Sequence, residues 1–314
     1  MAVVQTHIQI DGDMVYLYAS DGVWYQYNST QQPLGEGAMG TVFLGCASED
    51  HHDHVAIKLV NEKLSNVPSI RERARKEASL AFRHENLVEM LGYCDDGTAQ
   101  GPMFIISRLV PGTTLDEFVK IFAQVPDRVH RIVRCILPVL DALHYIHSKG
   151  IIHLDVKPSN IMVEESRNIR LMDLGIAFTK DRIDMTSSGL LGTPGYAAPE
   201  QYLTRGQRVL DIDASTDVYE AGATLYELLA GKKPYGRGSD HLQPILGVSE
   251  PLMKVIGRSL AKDKAYRYST TEEFKQDLEK ALLSPQPALP KWAWPAIAVG
   301  GVLLIIILLI VLLC

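Results

Sequence analysis

Cysteine is scarce in this sequence. The 314 residues contain four cysteines, at positions 46, 94, 135 and 314, and their spacing fits neither a metal site nor a disulfide framework. Disulfides are typical of extracellular proteins, so we expect reduced, mostly buried thiols and a cytosolic location for the bulk of the chain.

An excess of positive charge is also missing, and we expect no leader sequence. The chain has 31 Lys and Arg against 37 Asp and Glu, which gives a net charge of −6. Nucleic-acid-binding proteins usually carry a strongly basic face, so we expect no nucleic acid among the partners. The N-terminal stretch MAVVQTHIQIDGDMV lacks the basic and apolar regions of a signal peptide.

The C-terminal end carries no charge after Lys291. Residues 296–314 are apolar throughout, and as a helix they would extend about 28 Å at ~1.5 Å per residue. That length fits the roughly 30 Å hydrocarbon core of a bilayer. A buried core helix, the alternative, need not be apolar on every face. We therefore predict one transmembrane helix at 296–314, preceded by a Pro-rich linker at 284–295.

Strand patterns dominate the first part of the chain and helix patterns the rest. Residues 1–30 alternate apolar and polar side chains, and further strand-like runs are TVFLGCAS, HVAIKLV, LVEMLGYC and MFIISRLV. A helical segment, SIRERARKEASLAFR, lies among these runs. After PGTTL, helices are predicted at 126–149, 213–230, 250–261 and 271–283. This order indicates an α+β fold in two lobes.

Three glycines, Gly35, Gly37 and Gly40, lie between strand-like segments. A G-x-G-x-x-G pattern alone is a weak signal, and the dinucleotide-binding version needs a helix after it. Here the β-forming residues TVFLG follow. This favours a glycine-rich hairpin over phosphate groups, because glycine lets backbone amides approach the oxygens closely. A plain glycine hairpin is the alternative.

Lys58 ends the run VAIK, eighteen residues after Gly40. A lysine at a strand end is usually a solvated surface residue, but beside a glycine loop it can point at phosphate oxygens. A carboxylate must then hold it. The charged helical segment offers Glu77, with Glu72 as the alternative.

The stretch IIHLDVKPSNIMV has the composition of a catalytic loop, with Asp155, Lys157 and Asn160 between two apolar runs. Asp173 follows in MDLG, and then come GTPGYAAPE and TDVYEAG. With the glycine segment and VAIK, these motifs have the order and spacing of the eukaryotic-type protein kinases, which residues 31–283 resemble.

The resemblance implies a bilobal protein-kinase-like fold, with a β-rich N-terminal lobe and an α-helical C-terminal lobe. Residues 1–30 would add an N-terminal β extension, and the chain would end in the predicted transmembrane helix. A compact kinase with such an anchor is similar to the bacterial Ser/Thr kinases. We therefore expect a single-pass protein of the bacterial inner membrane, with its kinase domain in the cytoplasm.

The resemblance also implies an ATP site. Its members would be Leu34, Gly35, Glu36, Gly37, Gly40, Val42, Ala56, Lys58, Glu77 and Met162. The glycines would cover the phosphates, and Ala56 and Met162 would sandwich the adenine. Lys58 would bind the α- and β-phosphates while paired with Glu77.

The catalytic residues implied by the resemblance are Asp155 and Lys157. Asp155 would accept or orient the proton of a substrate hydroxyl, and Lys157 is the Ser/Thr-kinase form of the loop. Asn160 and Asp173 would hold Mg²⁺, for which Mn²⁺ could substitute. Phosphoryl transfer needs in-line positioning and cations around the phosphate oxygens, which these residue types supply. The expected substrates are ATP and protein Ser/Thr hydroxyls, including the chain's own, and a homodimer is left open.

Leu154 stands where close relatives of this pattern carry Arg. In the kinases that the chain resembles, that Arg binds a phosphorylated activation loop, and Leu cannot make such a charge-assisted bond. We therefore predict an active site that does not depend strongly on loop phosphorylation, although Lys180 or Arg182 could replace the missing Arg.

Two structural pairings also follow from the resemblance. Glu200 would pair with a buried Arg, for which Arg267 is the candidate, and Asp217 would cap the backbone of the catalytic loop.

Two other classes of protein share these motifs, namely a pseudokinase scaffold and a small-molecule kinase. The retained catalytic set argues against the first, and GTPGYAAPE, a peptide-substrate platform in the family, argues against the second.

Overall fold

The protein divides into two compact units in the computed structural model. The first contains residues 1–111 and 171–184, and the second contains residues 112–170 and 185–314. The residues that the structure describes are 5–37, 39–48, 53–66, 68, 71–72, 75, 82–98, 100–173, 178–179, 192–202, 212–235 and 241–285.

One antiparallel sheet of eight strands makes up most of the first unit. The strands are β1 (His7–Asp11), β2 (Met14–Tyr18), β3 (Trp24–Asn28), β4 (Gly35–Gly37), β5 (Gly40–Ala47), β6 (His54–Val60), β7 (Met90–Asp95) and β8 (Met103–Arg108). Their order is β1-β2-β3-β5-β6-β8-β7, and β4 pairs with β5. A short helix, α1 (Glu62–Ser65), follows β6.

The four strand-like runs are confirmed as β5 to β8, with one difference. The strand predicted from Leu87 begins at Met90, because Leu87 forms an isolated bridge with Leu171 instead. The helical segment predicted from SIRERARKEASLAFR falls largely outside the described residues.

Alternating burial joins the N-terminal strands to this sheet. In β2 and β3 every second side chain is buried, as the sequence pattern predicts. The rings of Tyr27 and Phe43 lie 4.8 Å apart, and both belong to one apolar cluster with Ile57. Strand β3 pairs directly with β5. The expected domain boundary at residue 30 therefore falls between two strands of a single sheet.

Helices make up most of the second unit. They are α2 (Leu115–Phe118), α3 (Arg128–Ser148), α4 (Ala214–Ala230), α5 (Glu250–Ser259) and α6 (Thr271–Leu282). The four predicted helices are confirmed as α3 to α6, with ends that differ by one or two residues. Strands β9 (Gly112–Thr114), β11 (Ile161–Glu164) and β12 (Ile169–Leu171) form a small sheet in the order β12-β11-β9. The two-residue strands β10 (Ile151–Ile152) and β13 (Phe178–Thr179) complete the described strands.

Local sequence signals explain where the helices begin and end. The Asp213 carboxylate accepts the backbone N–H of Ser215 at the start of α4, and Gly231 ends that helix with φ of 69°. Ser249 and Thr270 cap α5 and α6 in the same way. Helix α4 is buried along nearly its whole length, and helices α3, α5 and α6 pack against it.

The described cysteines are free thiols. Cys94 and Cys135 are buried, and burial raises the pKa of these thiols to about 12 and about 11. The predicted transmembrane helix at 296–314 and most of the linker lie outside the described residues. Within the part of the chain that the structure describes, no helix has the length and apolar character needed to cross a membrane.

Candidate active site

The predicted catalytic loop is held between buried apolar residues. Ile151 and Ile152 are buried in β10, and Ile161 is buried at the start of β11. A 3-10 turn at Pro158–Asn160 lies between the two strands. Asp155 is only 5% exposed. Burial of the flanking apolar side chains therefore fixes a polar loop inside the second unit.

Three side chains contact the carboxylate of Asp155. Lys157 Nζ donates to Oδ2 at 2.8 Å, and Asn160 Nδ2 donates to the same oxygen at 2.9 Å. The Thr193 hydroxyl donates to Oδ1 at 2.5 Å and accepts from Lys157 Nζ at 2.8 Å. The structure brings together three residues that the sequence predicted. It adds Thr193, whose contact with Asp155 the sequence did not predict.

These contacts set the charge of Asp155. Burial raises the pKa of its carboxyl, but the hydrogen bonds from Lys157 and Thr193 and the positive charge of Lys157 outweigh burial and hold that pKa below its usual range. The carboxylate is therefore ionised at neutral pH. A group in that state can accept a hydrogen bond from an incoming hydroxyl.

Asp217 of α4 holds the backbone just before Asp155. Its carboxylate accepts the N–H of His153 at 2.8 Å and the N–H of Leu154 at 2.9 Å. His147 Nε2 lies 2.7 Å from the same carboxylate. The predicted cap by Asp217 is confirmed.

Leu154 has a left-handed backbone, with φ of 64°. This conformation costs a non-glycine residue roughly 1 kcal/mol or more, and it persists only where the surroundings fix it. The bond to Asp217 supplies that restraint. The Leu154 side chain is buried inside the second unit. An apolar side chain thus occupies the position where similar kinases carry Arg.

Two further residues of α4 hold the backbone just after Asp155. Glu220 Oε2 accepts the N–H of Val156 at 2.7 Å, and the Thr224 hydroxyl donates to the carbonyl of Val156 at 2.9 Å. The sequence analysis missed both residues. The available signal was their spacing, since positions 217, 220 and 224 share one face of a helix that is otherwise mostly apolar.

The predicted pair of Glu200 and Arg267 is confirmed. Two bonds join them, from Nη1 to Oε1 at 2.6 Å and from Nη2 to Oε2 at 2.9 Å. The Arg267 side chain is fully buried. This bidentate pair links the GTPGYAAPE segment to the region before α6.

In the first unit, Lys58 forms an ion pair with Asp173. Lys58 Nζ lies 2.8 Å from Oδ1 of Asp173, whose backbone φ is 60°. Glu77, the predicted partner of Lys58, lies outside the described residues, so that pairing stays a prediction. Glu72, the alternative partner, is an exposed residue.

The three glycines form the predicted hairpin. Gly35 pairs with Val42 and Gly37 with Gly40, so β4 and β5 are its two arms. A strand follows the glycines where a dinucleotide fingerprint would need a helix. Gly40 has φ of 144°, and a Cβ there would lie 2.1 Å from the carbonyl oxygen of Leu59. Glycine is therefore required at this position.

The remaining predicted ATP-site residues lie on strands or beside them. Leu34 precedes the hairpin, is 52% exposed and donates its N–H to the carbonyl of Val42. Glu36 is the exposed central residue of β4. Ala56 lies in β6 of the first unit, and Met162 lies in β11 of the second unit.

Each unit contains oxygen donors of the kind that Mg²⁺ prefers. In the first unit these are the carboxylate oxygens of Asp173, and in the second unit the amide oxygen of Asn160, whose Nδ2 is bonded to Asp155. Mg²⁺ prefers such oxygen ligands and usually takes one or two from the protein, with phosphate oxygens and waters completing its shell. Lys58 offers a cation next to Asp173 for phosphate binding.

Comparisons with known proteins find a matching family and several relatives. A family model described as "Protein kinase domain" matches residues 28–289. A serine/threonine-protein kinase PknB of Mycobacterium leprae is 33% identical over 277 residues, which cover 82% of this chain and 43% of the relative. The Mycobacterium tuberculosis PknB is 33% identical over 279 residues, with the same coverage. The chain thus spans less than half the length of these relatives.

Solved structures show the same likeness. A crystal structure of the Mycobacterium tuberculosis PknI kinase domain matches with a TM-score of 0.62 and 25% sequence identity, and it covers 80% of this chain and 94% of that chain. A second crystal structure of that domain gives a TM-score of 0.63 at 25% identity.

Proposed function

This chain belongs to the protein kinase domain family, and from that membership we propose that it is an ATP-dependent serine/threonine protein kinase. It would transfer the γ-phosphoryl group of ATP to Ser and Thr hydroxyls of proteins, including its own. One observation carries the proposal: Asp155 is buried and its carboxylate accepts hydrogen bonds from Lys157, Asn160 and Thr193.

Each side chain at this carboxylate has a role in the proposed reaction. Asp155 orients the substrate hydroxyl and takes its proton. Lys157 donates to Asp155 and neutralises charge on the phosphoryl group as it moves. Asn160 fixes the loop through two bonds to Asp155 and keeps its oxygen for the metal.

The nucleotide would be held mainly by residues of the first unit. Lys58 would bind phosphate oxygens, and the glycine hairpin would offer its backbone amides to them. Leu34, Val42, Ala56 and Met162 would line the adenine pocket. Asp173 and Asn160 would hold Mg²⁺, or Mn²⁺ in its place, which when bound neutralises phosphate charge.

We also propose the order of the segments and their location. Residues 1–30 form a β extension, 31–283 the kinase domain, 284–295 a linker and 296–314 a transmembrane helix. The helix would place the kinase domain on the cytoplasmic side of a bacterial inner membrane. The uncharged apolar run after Lys291 supports this arrangement.

The test is phosphoryl transfer by the purified full-length chain, with radiolabelled ATP, Mg²⁺ and a generic basic protein. We expect label on both proteins, and phosphoamino-acid analysis should show phosphoserine and phosphothreonine. Asp155→Asn and Lys58→Met should each lower the rate ~10²-fold or more. Asp127→Asn is the matched control, since Asp127 is an exposed carboxylate paired with Arg131.

The other outcomes separate the alternatives. ATP binding without transfer by the wild-type chain would identify a pseudokinase scaffold. Transfer to small molecules but not to proteins would identify a small-molecule kinase. A predominance of phosphotyrosine would contradict the proposed specificity.

A further inference from the structure

Helix α4 presents a row of three polar side chains to the catalytic loop. Asp217, Glu220 and Thr224 are all fully buried and lie on one helix face at spacings of three and four residues. Asp217 holds the backbone before Asp155, while Glu220 and Thr224 hold Val156 on the other side. The loop that carries Asp155 is therefore bound to α4 from both sides.

Glu220 differs from the other two because it also binds a second segment. Its Oε1 accepts a hydrogen bond from Gln201 Nε2 at 2.8 Å, while its Oε2 accepts the N–H of Val156 at 2.7 Å. Gln201 is fully buried and lies at the end of GTPGYAAPEQ. One carboxylate thus joins the catalytic loop to the segment that carries Thr193.

The orientation of the Gln201 amide follows from its contacts. Its Oε1 accepts the N–H of Ala198 at 2.6 Å, so its Nε2 must face Glu220 and the carbonyl of Leu154, which lies 3.3 Å away. A reversed amide would place the NH₂ group against the N–H of Ala198. The NH₂ group of Gln201 therefore donates to both Glu220 and the carbonyl of Leu154.

The close packing around this pair leaves little room for another arrangement. Gly192 has φ of 95°, and a Cβ there would lie 2.6 Å from the Leu154 carbonyl oxygen and 2.8 Å from Gln201 Nε2. The same Cβ would lie 3.2 Å from Glu220 Oε1. Segment 192–202 therefore contacts both Glu220 and the catalytic loop at this point.

A fully buried acid is costly for a protein core. Burial and the neighbouring charge of Asp217 raise the pKa of Glu220 well above its usual range, although Val156 and Gln201 donate to it. Core stability alone is better served by an apolar residue of similar size. This cost indicates that Glu220 has a role beyond filling the core.

We propose that Glu220 and Gln201 form a positioning pair for phosphoryl transfer. The pair fixes the backbone on both sides of Asp155 relative to segment 192–202, so that the Asp155 carboxylate and Thr193 keep their contact. It does so without a cation at position 154, where Leu154 stands. This inference rests on the proposed kinase activity, since it assigns a role in that reaction.

The decisive variant is Glu220→Gln in the full-length chain. A Gln at this position has one acceptor oxygen for two donors, so its NH₂ group would face either Val156 N–H or Gln201 NH₂. We expect kcat to fall about 10- to 100-fold. KM for ATP should stay within about twofold, because the substitution leaves the Lys58 and glycine-hairpin contacts unchanged.

The exchange variant Glu220→Gln/Gln201→Glu restores the complementary contact between positions 220 and 201. The new Gln accepts from Val156 and donates to the new Glu, which also accepts from Ala198 but, unlike Gln201, cannot donate to the carbonyl of Leu154. We therefore expect this double variant to recover part of the kcat lost in the single one. It also tests the pair if Glu220→Gln alone fails to fold, because a folded double variant without activity would overturn the proposal.

Hydrogen exchange provides a readout that does not need activity. Peptides that contain Val156 should exchange faster in Glu220→Gln, while peptides of α6 should be unchanged. Tyr226→Phe is the matched control, since Tyr226 lies on the same helix and bonds to the carbonyl of Gln243. It should keep wild-type kcat and wild-type exchange in the loop.

The results separate the two proposals. A wild-type chain without transfer activity would reject the kinase function. Faster hydrogen exchange near Val156 in Glu220→Gln would still show that Glu220 holds the loop. A wild-type chain with full activity and a Glu220→Gln variant within twofold of it would reject the positioning role. The positioning role would also be rejected if the loss of kcat in Glu220→Gln matched a fall in the folded fraction of the protein and the exchange variant did not recover it.

Discussion

The Thr193 hydroxyl donates a 2.5 Å hydrogen bond to Oδ1 of Asp155. The same hydroxyl accepts from Lys157 at 2.8 Å, so it connects both predicted catalytic residues to the GTPGY segment. One side chain thereby couples the position of the GTPGY segment to the charge of the Asp155 carboxylate.

Removing this hydroxyl should weaken catalysis and change its pH dependence. In Thr193→Val, Asp155 loses a donor that lowers its pKa, so that pKa should rise. Because the proposed reaction needs the ionised form, kcat should begin to fall at a higher pH as the solution is made acidic. We also expect kcat at neutral pH to fall by about tenfold. The measurement is kcat from about pH 7 down to about pH 3, a range that includes the ordinary Asp pKa of about 3.9.

Thr193→Ser is the control for this prediction, because it keeps the hydroxyl. It should retain the wild-type pH profile. If kcat of Thr193→Val fell at the same acidic pH as kcat of the wild type, the hydrogen bond would not influence the pKa of Asp155.

The ion pair of Glu200 and Arg267 should contribute mainly to stability. Arg267→Met leaves the Glu200 carboxylate largely buried without its partner, a change that typically costs about 3–5 kcal/mol. We expect the lower end of that range, since Glu200 retains some exposure and a bond from Thr216. Denaturant unfolding monitored by fluorescence gives the free energy of unfolding.

The double variant Arg267→Met/Glu200→Gln should recover part of this loss, because it removes the unpaired charge. If Arg267→Met lowered the free energy of unfolding by less than about 1 kcal/mol, the pair would be as weak as an exposed one.

Activity should survive removal of the loop hydroxyls. The four acceptors Thr179, Thr186, Ser187 and Ser188 are replaced by Ala together, and transfer to an exogenous substrate is measured. We expect activity within a few-fold of wild type, because Leu154 cannot bind a phosphate. A loss of about 100-fold would show that a cation such as Lys180 or Arg182 binds a phosphorylated loop.

Truncation after Ser284 tests the proposed anchor. The full-length chain should remain with membranes after a high-salt wash, while the truncated chain should be soluble and keep wild-type kcat, since it retains the proposed kinase domain. Fractionation and activity assays check both points. Membrane association of the truncated chain, or an N-terminus accessible from outside the cell, would contradict the proposed topology.

The sequence alone predicted much of the fold because its signals are local. Strand-like patterns identified β2, β3 and β5 to β8, and helical patterns identified α3 to α6 within one or two residues. The start of β7 was predicted less accurately, because Leu87 pairs with Leu171, a residue 84 positions away in the sequence.

Motif order and spacing also selected Asp155, Lys157, Asn160 and Asp173 as candidate catalytic and metal-binding residues. These residues carry recognisable types at fixed local intervals, so no tertiary information was needed to select them. The ion pair of Lys58 with Asp173 was not predicted, since it joins residues 115 positions apart.

Only the tertiary structure decided how the catalytic loop is held. Thr193 lies 38 positions from Asp155, Glu220 lies 64 positions from Val156, and Gln201 lies 47 positions from Leu154. Sequence spacing determines which residues share a helix face, but it does not determine what that face meets. Burial brought these polar groups together, and because a buried polar group needs a partner, the packing of α4 decided which partners they found.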